Sequence, residues 1–263
     1  MSRPALESLT RSVDEVKQVI TSLTPEEWAM RSGCDGWTVK DLVAHMSSNY
    51  KEVVEPSDPP AEPVDLPAER MMDLLVAPRT DWTNEQVRDE YLEYCDGALA
   101  AMGALQEEPA ASTVIALADL GSYPMNQLAD AYAFDHYCHL RIDLLAPDGP
   151  IRRELPPTDD DQLGPAVGWM LTGLPQMQPG LVDQLSGRLR LELTGPGGGA
   201  WDLVRGGDDI VVEAPDGDAD ATVTSSAHDF VLWGTVRTPW RESCTVTGDE
   251  AMAATFLDAL NIV

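Results

Sequence analysis

Residues 34–45 read Cys-Asp-Gly-Trp-Thr-Val-Lys-Asp-Leu-Val-Ala-His, and this stretch predicts where a helix begins. Thr38 can cap the first turn, and Asp41 stands at the third helical position, where an acid completes a capping box. The apolar run that follows places His45 one turn into the helix. The stretch therefore fixes an imidazole near the start of a helix.

Other segments of residues 1–146 are also helical in character. Apolar residues recur at helical spacing between positions 6 and 20, and Thr24-Pro25-Glu26-Glu27 is a second helix start with a capping box. One further long helix is predicted from near Thr83, and another from near Pro124 to about Leu145. Long helices joined by moderate connections favour a four-helix bundle over residues 1–146.

Two stretches rich in proline interrupt the helical pattern. Residues 55–67 contain five prolines and cannot form one helix. They predict a loop, which is either an exposed connection or a lid over a site. Residues 147–162 combine proline with aspartate and have no periodicity, which is typical of a linker.

The sequence pattern changes in residues 163–263, where segments that alternate between apolar and polar residues appear. A helix is predicted over roughly 163–184, and strict alternation over 188–194 indicates a half-buried strand. Further strands are predicted at 201–204, 210–212, 221–224 and around 244–246, with helices near 226–234 and 249–260. The predicted fold class is therefore two domains, a helical bundle followed by a small α+β domain with an antiparallel sheet.

The charge balance excludes several function classes. Seventeen Lys and Arg residues stand against 45 Asp and Glu residues, a net charge of −28. Nucleic-acid binding needs a basic surface, and an acidic membrane leaflet would repel this chain. No run approaches the ~20 apolar residues that span a bilayer, and we see no secretory signal, so we expect a cytoplasmic protein. The four widely spaced cysteines predict reduced thiols.

Three residues of the helical half could form a metal site. Asp135 and His139 are four apart on the last predicted helix, so both side chains lie on one face. That face is also apolar, and an acid and an imidazole in a core need a partner or a metal ion. With His45 they would supply three ligands and leave one position open, as in catalytic zinc sites.

The spacing alone leaves other interpretations open. Asp135 and His139 could form a buried hydrogen bond, with His45 merely packing beside them. His136 is a rival ligand, since it lies within one turn of His139. Asp143 could accept a hydrogen bond that orients an imidazole, or be a solvated acid at the helix end. Cys34 is near His45 in sequence and could be a ligand, but a small packed residue is the simpler interpretation.

The stretch 34–45 closely resembles the signature of the mycothiol-dependent maleylpyruvate isomerase family, and residues 23–28 and 133–139 fit the same pattern. The C-terminal segments 189–194, 219–223, 232–234 and 246–249 are similar to the family's sterol-carrier-like domain. The resemblance covers nearly the whole chain. It implies a DinB-like four-helix N-terminal domain that binds one zinc ion.

The family's metal ligands map here onto His45, Asp135 and His139. The chain departs from the family in two places. The family's acid is usually Glu, which is one methylene longer than Asp135. The family often has Arg soon after the Leu-Trp-Gly segment, where this chain has Thr235. Arg237 is the nearest substitute, and it is either a clamp between the domains for a substrate carboxylate or an ordinary surface residue.

The resemblance implies a thiol chemistry. A free thiol is mostly protonated at neutral pH, and zinc would lower its pKa and present a thiolate. The thiol would be mycothiol, and its target a small electrophile that is isomerised or takes up the sulfur. The alternatives are a zinc-dependent hydrolase on the same ligands and a metal-free protein that binds a small molecule or lipid.

Overall fold

A computed structural model describes residues 3–57 and 66–262 of the chain. Contacts between Cα atoms divide the chain into two compact units. One comprises Met1–Ala118 with Tyr123–Pro157, and the other comprises Asp119–Ser122 with Thr158–Val263. Most of the loop or lid predicted over 55–67 lies outside the described residues.

The first unit is helical, as predicted. Its α-helices are α1 (Arg3–Ile20), α2 (Pro25–Trp28), α3 (Val39–Val54), α4 (Ala68–Val76), α5 (Asn84–Ala104) and α6 (Leu128–Cys138). The long helices α1, α3, α5 and α6 pack together through α1 against α5 and α6, and through α3 against α5. The strands β1 (Val114–Ala116) and β2 (Ser122–Pro124) form a small two-stranded sheet.

The helix starts follow the predicted capping chemistry. The Thr38 hydroxyl accepts a hydrogen bond from the Asp41 N–H, and the Asp41 carboxylate accepts one from the Thr38 N–H at 2.9 Å. Thr24 with Glu27 forms the same reciprocal box before α2, and Thr83 with Gln86 forms it before α5. These boxes satisfy backbone donors that the first helical turn leaves unpaired.

One continuous apolar core holds the bundle together. Packing the long helices against one another removes their apolar side chains from water. Fully buried members include Leu9, Val13 and Val16 of α1, Leu42, Val43 and Met46 of α3, Tyr91 and Ala98 of α5, and Ala129 and Ala133 of α6.

The last helix of the bundle is divided, which the sequence pattern did not predict. A 3-10 turn at Met125–Gln127 precedes α6, and a π-helical segment, His139–Leu144, follows it. The chain then turns at Leu145, which forms a parallel bridge with Ile151. A π-helical segment widens each turn by one residue, and such segments are frequent at functional sites. His139 stands at the junction of the two helix types.

The second unit is an α+β structure, as predicted. Its helices are α7 (Asp160–Met177), α8 (Ala227–Gly234) and α9 (Glu250–Ala259), with a 3-10 helix at Pro179–Gln184. The helix predicted over 163–184 begins earlier because Asp159 caps it, accepting from the Gln162 N–H at 3.1 Å. It ends earlier because Gln178, which precedes Pro179, has a non-helical backbone with φ −139° and ψ 70°, and proline disfavours the helical conformation of the residue before it.

The sheet of the second unit contains β3 (Leu189–Thr194), β4 (Gly199–Gly206), β5 (Asp209–Glu213), β6 (Ala221–Ser226) and β7 (Thr245–Gly248). The strand order is β5-β4-β3-β6-β7, and Leu191 of β3 is opposite both Trp201 of β4 and Val223 of β6. The sheet is antiparallel except between β3 and β6, which run parallel because the chain after β5 crosses to the far edge of β3. Among the described residues, no helix is long and apolar enough to cross a membrane.

Candidate metal centre

Two elements of the bundle present the three predicted ligands. His45 projects from the second turn of α3 and is 3% exposed. Asp135 lies in the last turns of α6, and His139 follows at the junction with the π-helical segment. The i to i+4 spacing brings the last two side chains together, as the sequence predicted. The helix opened by Thr38 brings the first from another part of the chain.

The three side chains meet at one carboxylate oxygen. His45 Nε2 lies 3.1 Å from Asp135 Oδ1, and His139 Nε2 lies 3.3 Å from the same oxygen. The two imidazole rings are nearly perpendicular, at 84°, with their centroids 4.8 Å apart. One ligand atom from each residue lies within 4.8 Å of the others. The three residues therefore form a compact set of N and O donors.

This donor set fits a divalent cation. Zinc bonds of about 2.0–2.1 Å to N and O in a tetrahedron place neighbouring ligand atoms roughly 3.3 Å apart. The two N···O distances at Asp135 Oδ1 are close to that spacing. The ion pairs that the structure gives Asp135 are all with histidines. A bound cation would add positive charge beside that carboxylate.

Without a metal ion, the electrostatics of the site favour the ligand forms of His45 and Asp135 but a protonated His139, whose Nε2 proton a metal ion would have to displace. Burial lowers the pKa of His45, which favours the neutral imidazole that can bind a metal ion. Burial alone would raise the pKa of Asp135, but the His139 and His45 rings outweigh it and hold that pKa well below its usual range. Burial likewise opposes a charge on His139, yet the adjacent Asp135 carboxylate raises its pKa well above the usual value.

His136, the rival ligand, lies elsewhere. Its side chain is fully buried, and its ring packs 4.9 Å from the ring of Tyr50. His136 Nδ1 lies 3.3 Å from Asp135 Oδ2, and Nε2 lies 3.3 Å from the Tyr91 hydroxyl. Among the described residues, the groups that could hold a metal ion do not include His136. Its contacts suit a residue that supports Asp135 from behind.

Cys34 and Asp143 form a second cluster with His139. His139 Nδ1 lies 2.9 Å from Asp143 Oδ2, and Cys34 Sγ lies 3.3 Å from the same oxygen. The Asp143 side chain is buried rather than solvated at a helix end. Cys34 is half-buried, and its thiol contacts the site. The simpler interpretation of its sequence context was a packing residue without such a contact.

Two neighbours of His45 in the structure were not predicted from the sequence. Asn49 stands one turn further along α3, and its Nδ2 lies 3.3 Å from His45 Nε2. The i to i+4 spacing was the available signal. The Trp37 ring lies 5.2 Å from the His45 ring, and its Nε1 donates to Asp73 Oδ1 at 3.1 Å. These two side chains border the donor set with an amide and an aromatic face.

Arg237 lies in the second unit, after α8. Its backbone N–H donates to the Leu232 carbonyl at 2.9 Å, and its Nη1 donates to Thr235 Oγ1 at 2.8 Å. The side chain is half-buried. Its proposed contact with a substrate stays a prediction, as does the sterol-carrier-like assignment of this unit.

Comparison with known proteins places these observations in a family. The model of the mycothiol maleylpyruvate isomerase N-terminal domain matches residues 9–140, half of the chain, and this range contains all three predicted ligands. Among curated proteins, no sequence matches this chain.

Two solved structures share the fold. The mycothiol-dependent maleylpyruvate isomerase is 14% identical, with a TM-score of 0.59 over 94% of this chain and 93% of that one. A histidine-to-alanine mutant of a mycothiol-dependent maleylpyruvate isomerase is 13% identical, with a TM-score of 0.58 and the same coverage. The match over the helical half, together with this fold, shows that the chain belongs to the mycothiol maleylpyruvate isomerase N-terminal domain family.

Proposed function

We propose that this protein is a metal-dependent enzyme that uses a low-molecular-weight thiol, mycothiol, to isomerise a small electrophile or to transfer sulfur to it. The observation that carries the proposal is the approach of two imidazole nitrogens to one carboxylate oxygen. His45 Nε2 lies 3.1 Å and His139 Nε2 lies 3.3 Å from Asp135 Oδ1. The family is named for a mycothiol maleylpyruvate isomerase, which supports the thiol and the isomerisation in the proposal.

Zinc is the metal that best suits this donor set. Two imidazoles and one carboxylate are typical protein ligands of catalytic zinc, and they leave a fourth position open. When bound, zinc would lower the pKa of a thiol at that position and keep it as a thiolate at neutral pH. His45, Asp135 and His139 are the residues that would hold the ion.

The protein's own residues would prepare the site for a thiol. Asp135 contributes one negative charge, so a divalent ion in this set keeps a net positive charge that favours an anionic sulfur. The Asn49 amide group lies beside His45 Nε2 and can donate a hydrogen bond to a group bound nearby. The Trp37 ring lies 5.2 Å from the His45 ring and places an aromatic surface beside this ligand.

The remaining parts of the proposal concern the substrate and the compartment. We assign Arg237 the binding of a substrate carboxylate, for which a guanidinium group is well shaped.

We also propose that the protein is cytoplasmic. The four cysteines, Cys34, Cys95, Cys138 and Cys244, are free thiols, which suits a reducing compartment.

Metal content and thiol dependence test the proposal together. We expect about one equivalent of zinc per chain, and turnover of maleylpyruvate or a related unsaturated acid that requires added mycothiol. Turnover that is metal-dependent but indifferent to mycothiol would replace the proposal with a hydrolase. A protein without metal and without turnover would favour a binding protein.

The assignment of Arg237 has its own test. We expect Arg237→Met to raise KM for an acidic substrate by about 10-fold or more, since a charged hydrogen bond contributes about 1.5–3 kcal/mol. Arg241 is a matched control, because it is an exposed arginine that pairs with Asp258 in the same unit. An Arg241→Met variant that raises KM as much as Arg237→Met would contradict the assignment.

A further inference from the structure

Asp143 lies behind the proposed ligand His139, on the side of the ring away from Asp135. His139 Nε2 faces Asp135 Oδ1 at 3.3 Å, whereas Nδ1 faces Asp143 Oδ2 at 2.9 Å. When Asp143 is ionised, its carboxylate can only accept a hydrogen bond, so Nδ1 is then the donor in this contact. Asp143 thus selects which ring nitrogen is left for a metal ion.

A turn before α3 holds Asp143 in place. The Gly33 N–H donates to the Asp143 carbonyl at 2.7 Å, and the Cys34 thiol donates to Asp143 Oδ2 at 3.3 Å. The Ser32 hydroxyl fixes the turn itself by accepting from the Cys34 N–H at 3.2 Å and donating to the Trp37 carbonyl at 3.0 Å. Both the backbone and the carboxylate of Asp143 are therefore held by this turn.

The approach of the two segments requires glycine at position 33. A Cβ atom on Gly33 would lie 2.7 Å from Asp143 Cα and 2.8 Å from Asp143 Oδ1. Both distances are too short for carbon contacts, and one of the atoms belongs to the backbone, so the π-helical segment or the turn would have to move. The sequence Gly33-Cys34 is thus matched to Asp143 by shape as well as by hydrogen bonding.

His45 has no comparable support. Its Nδ1 atom is buried without a hydrogen-bond partner among the described residues. A metal-binding histidine usually donates its second ring N–H to an acceptor, which fixes its tautomer and orientation and strengthens metal binding by about 10–100-fold. Of the two proposed histidine ligands, His139 is the one whose second ring nitrogen has such a partner, Asp143.

We infer that Asp143, clamped by the Gly33–Cys34 turn, is the positioning residue that orients His139 for metal binding. The inference rests on the proposed function in taking His139 as a ligand. Cys34 acts here as a hydrogen-bond donor to Asp143, not as a nucleophile or a ligand. The turn that precedes α3 thereby links the two helices that supply the metal ligands.

Metal affinity is the first test. Zinc or cobalt(II) is titrated in competition with a chelator into the full-length protein. We expect Asp143→Ala to weaken binding by about 10–100-fold, Gly33→Ala and Cys34→Ala to weaken it less, and Cys34→Ser to restore most of the affinity, because a hydroxyl still donates. Asp202→Asn is the matched control, since it alters an equally buried carboxylate of the other unit.

Two outcomes would overturn the inference. One is wild-type affinity in folded Asp143→Ala and Gly33→Ala proteins. The other is a thiolate-to-cobalt charge-transfer band that disappears in Cys34→Ala, because it would make Cys34 a ligand within the group Cys34, His139 and Asp143. Should Asp143→Ala fail to fold, the metal affinities of Gly33→Ala, Cys34→Ala and Cys34→Ser test the inference instead.

A measurement without metal separates this inference from the proposed function. The chain has four histidines, so their ring N–H signals in 15N-labelled protein can be assigned with one variant each. We expect a slowly exchanging His139 Nδ1–H signal in the metal-free protein that is lost in Asp143→Ala. If the wild type binds no metal but shows this signal, the proposed function fails while the Asp143 contact stands. Retention of the signal in Asp143→Ala would overturn the positioning role.

Discussion

Asp135 is the residue on which the site depends. The family resemblance implies a glutamate at this position, so the shorter side chain raised the question of whether it reaches the other two ligands. In the structure, Asp135 Oδ1 lies 3.1 Å from His45 Nε2 and 3.3 Å from His139 Nε2, so it does. The loss of one methylene is therefore compatible with the same donor set.

The roles of the histidines can be separated by substitution. We predict that His45→Ala loses metal affinity by more than about 100-fold, because removing a ligand exceeds the effect of removing an outer partner. We predict that His136→Ala keeps its metal within about 10-fold, because His136 contacts Asp135 Oδ2 and Tyr91. Metal analysis after dialysis against a weak chelator measures both. Retention by His45→Ala together with loss by His136→Ala would reverse the ligand assignment.

At the scale of helices and strands, local chemistry decided what the sequence could predict. Thr24, Thr38 and Thr83 each cap a helix through a capping box. The first two boxes were predicted from the sequence, whereas near Thr83 only a helix start was predicted. Helix α4 was missed because Pro67 precedes it with no side-chain cap. A 3-10 turn, Ala77–Arg79, follows α4, and it is held by a contact from outside the turn, Arg79 Nη2 to Glu90 Oε1 at 2.7 Å.

In the candidate site, too, some features follow from local sequence and others depend on residues distant in the chain. The pairing of Asp135 with His139 follows from helical periodicity alone. The π-helical segment and its contact with Cys34 do not, because they depend on residues that lie 109 positions apart in the chain. The grouping of His45 with Asp135 was one of several interpretations that the residues left open, since spacing within one helix says nothing about its neighbour, and the family resemblance favoured it.

One ion-pair cluster ties β3 to β4. Asp202 is fully buried, and its carboxylate accepts from Arg190 Nε at 2.8 Å and from Arg188 Nη1 at 2.7 Å. The Arg190 hydrogen bond, assisted by the backbone N–H of Asp216 and by Arg188, outweighs burial and holds the pKa of Asp202 well below its usual range. The ionised form therefore stabilises the folded state.

We predict that Asp202→Asn lowers the free energy of unfolding by about 2–3 kcal/mol at pH 7, since it removes charged hydrogen bonds in a buried position. An acid with a lowered pKa stabilises the fold above its unfolded value of about 3.9 and loses that effect as the pH falls. The difference between wild type and variant should thus shrink below about pH 4. Urea unfolding at several pH values measures it.

Asp258→Asn is the control for this prediction. Asp258 pairs with Arg241 in an exposed position, where an ion pair contributes about 0–1 kcal/mol. A loss in Asp258→Asn as large as that in Asp202→Asn would contradict the importance of burial. So would a difference between Asp202→Asn and wild type that grows as the pH falls.

The whole molecule carries a net charge of −28, which opposes its compact state through repulsion among the carboxylates. Raising the ionic strength from about 0.01 M to 0.15 M shortens the screening length from roughly 30 Å to 8 Å. We predict that Tm rises by about 2–4 °C over this range, as expected if screening adds about 1 kcal/mol. Thermal unfolding in sodium chloride and in potassium chloride measures it. A fall in Tm with either salt would contradict this account of the surface.

In the proposed site, His45, Asp135 and His139 together hold one divalent cation with a position open for sulfur. Diffraction from crystals of the zinc-loaded protein, recorded on both sides of the zinc absorption edge, would locate that cation. We expect one anomalous peak within about 2.0–2.2 Å of an atom of each of the three residues, with no fourth protein ligand. A peak among Cys34, His139 and Asp143 instead, or a fourth protein group at the ion, would contradict it.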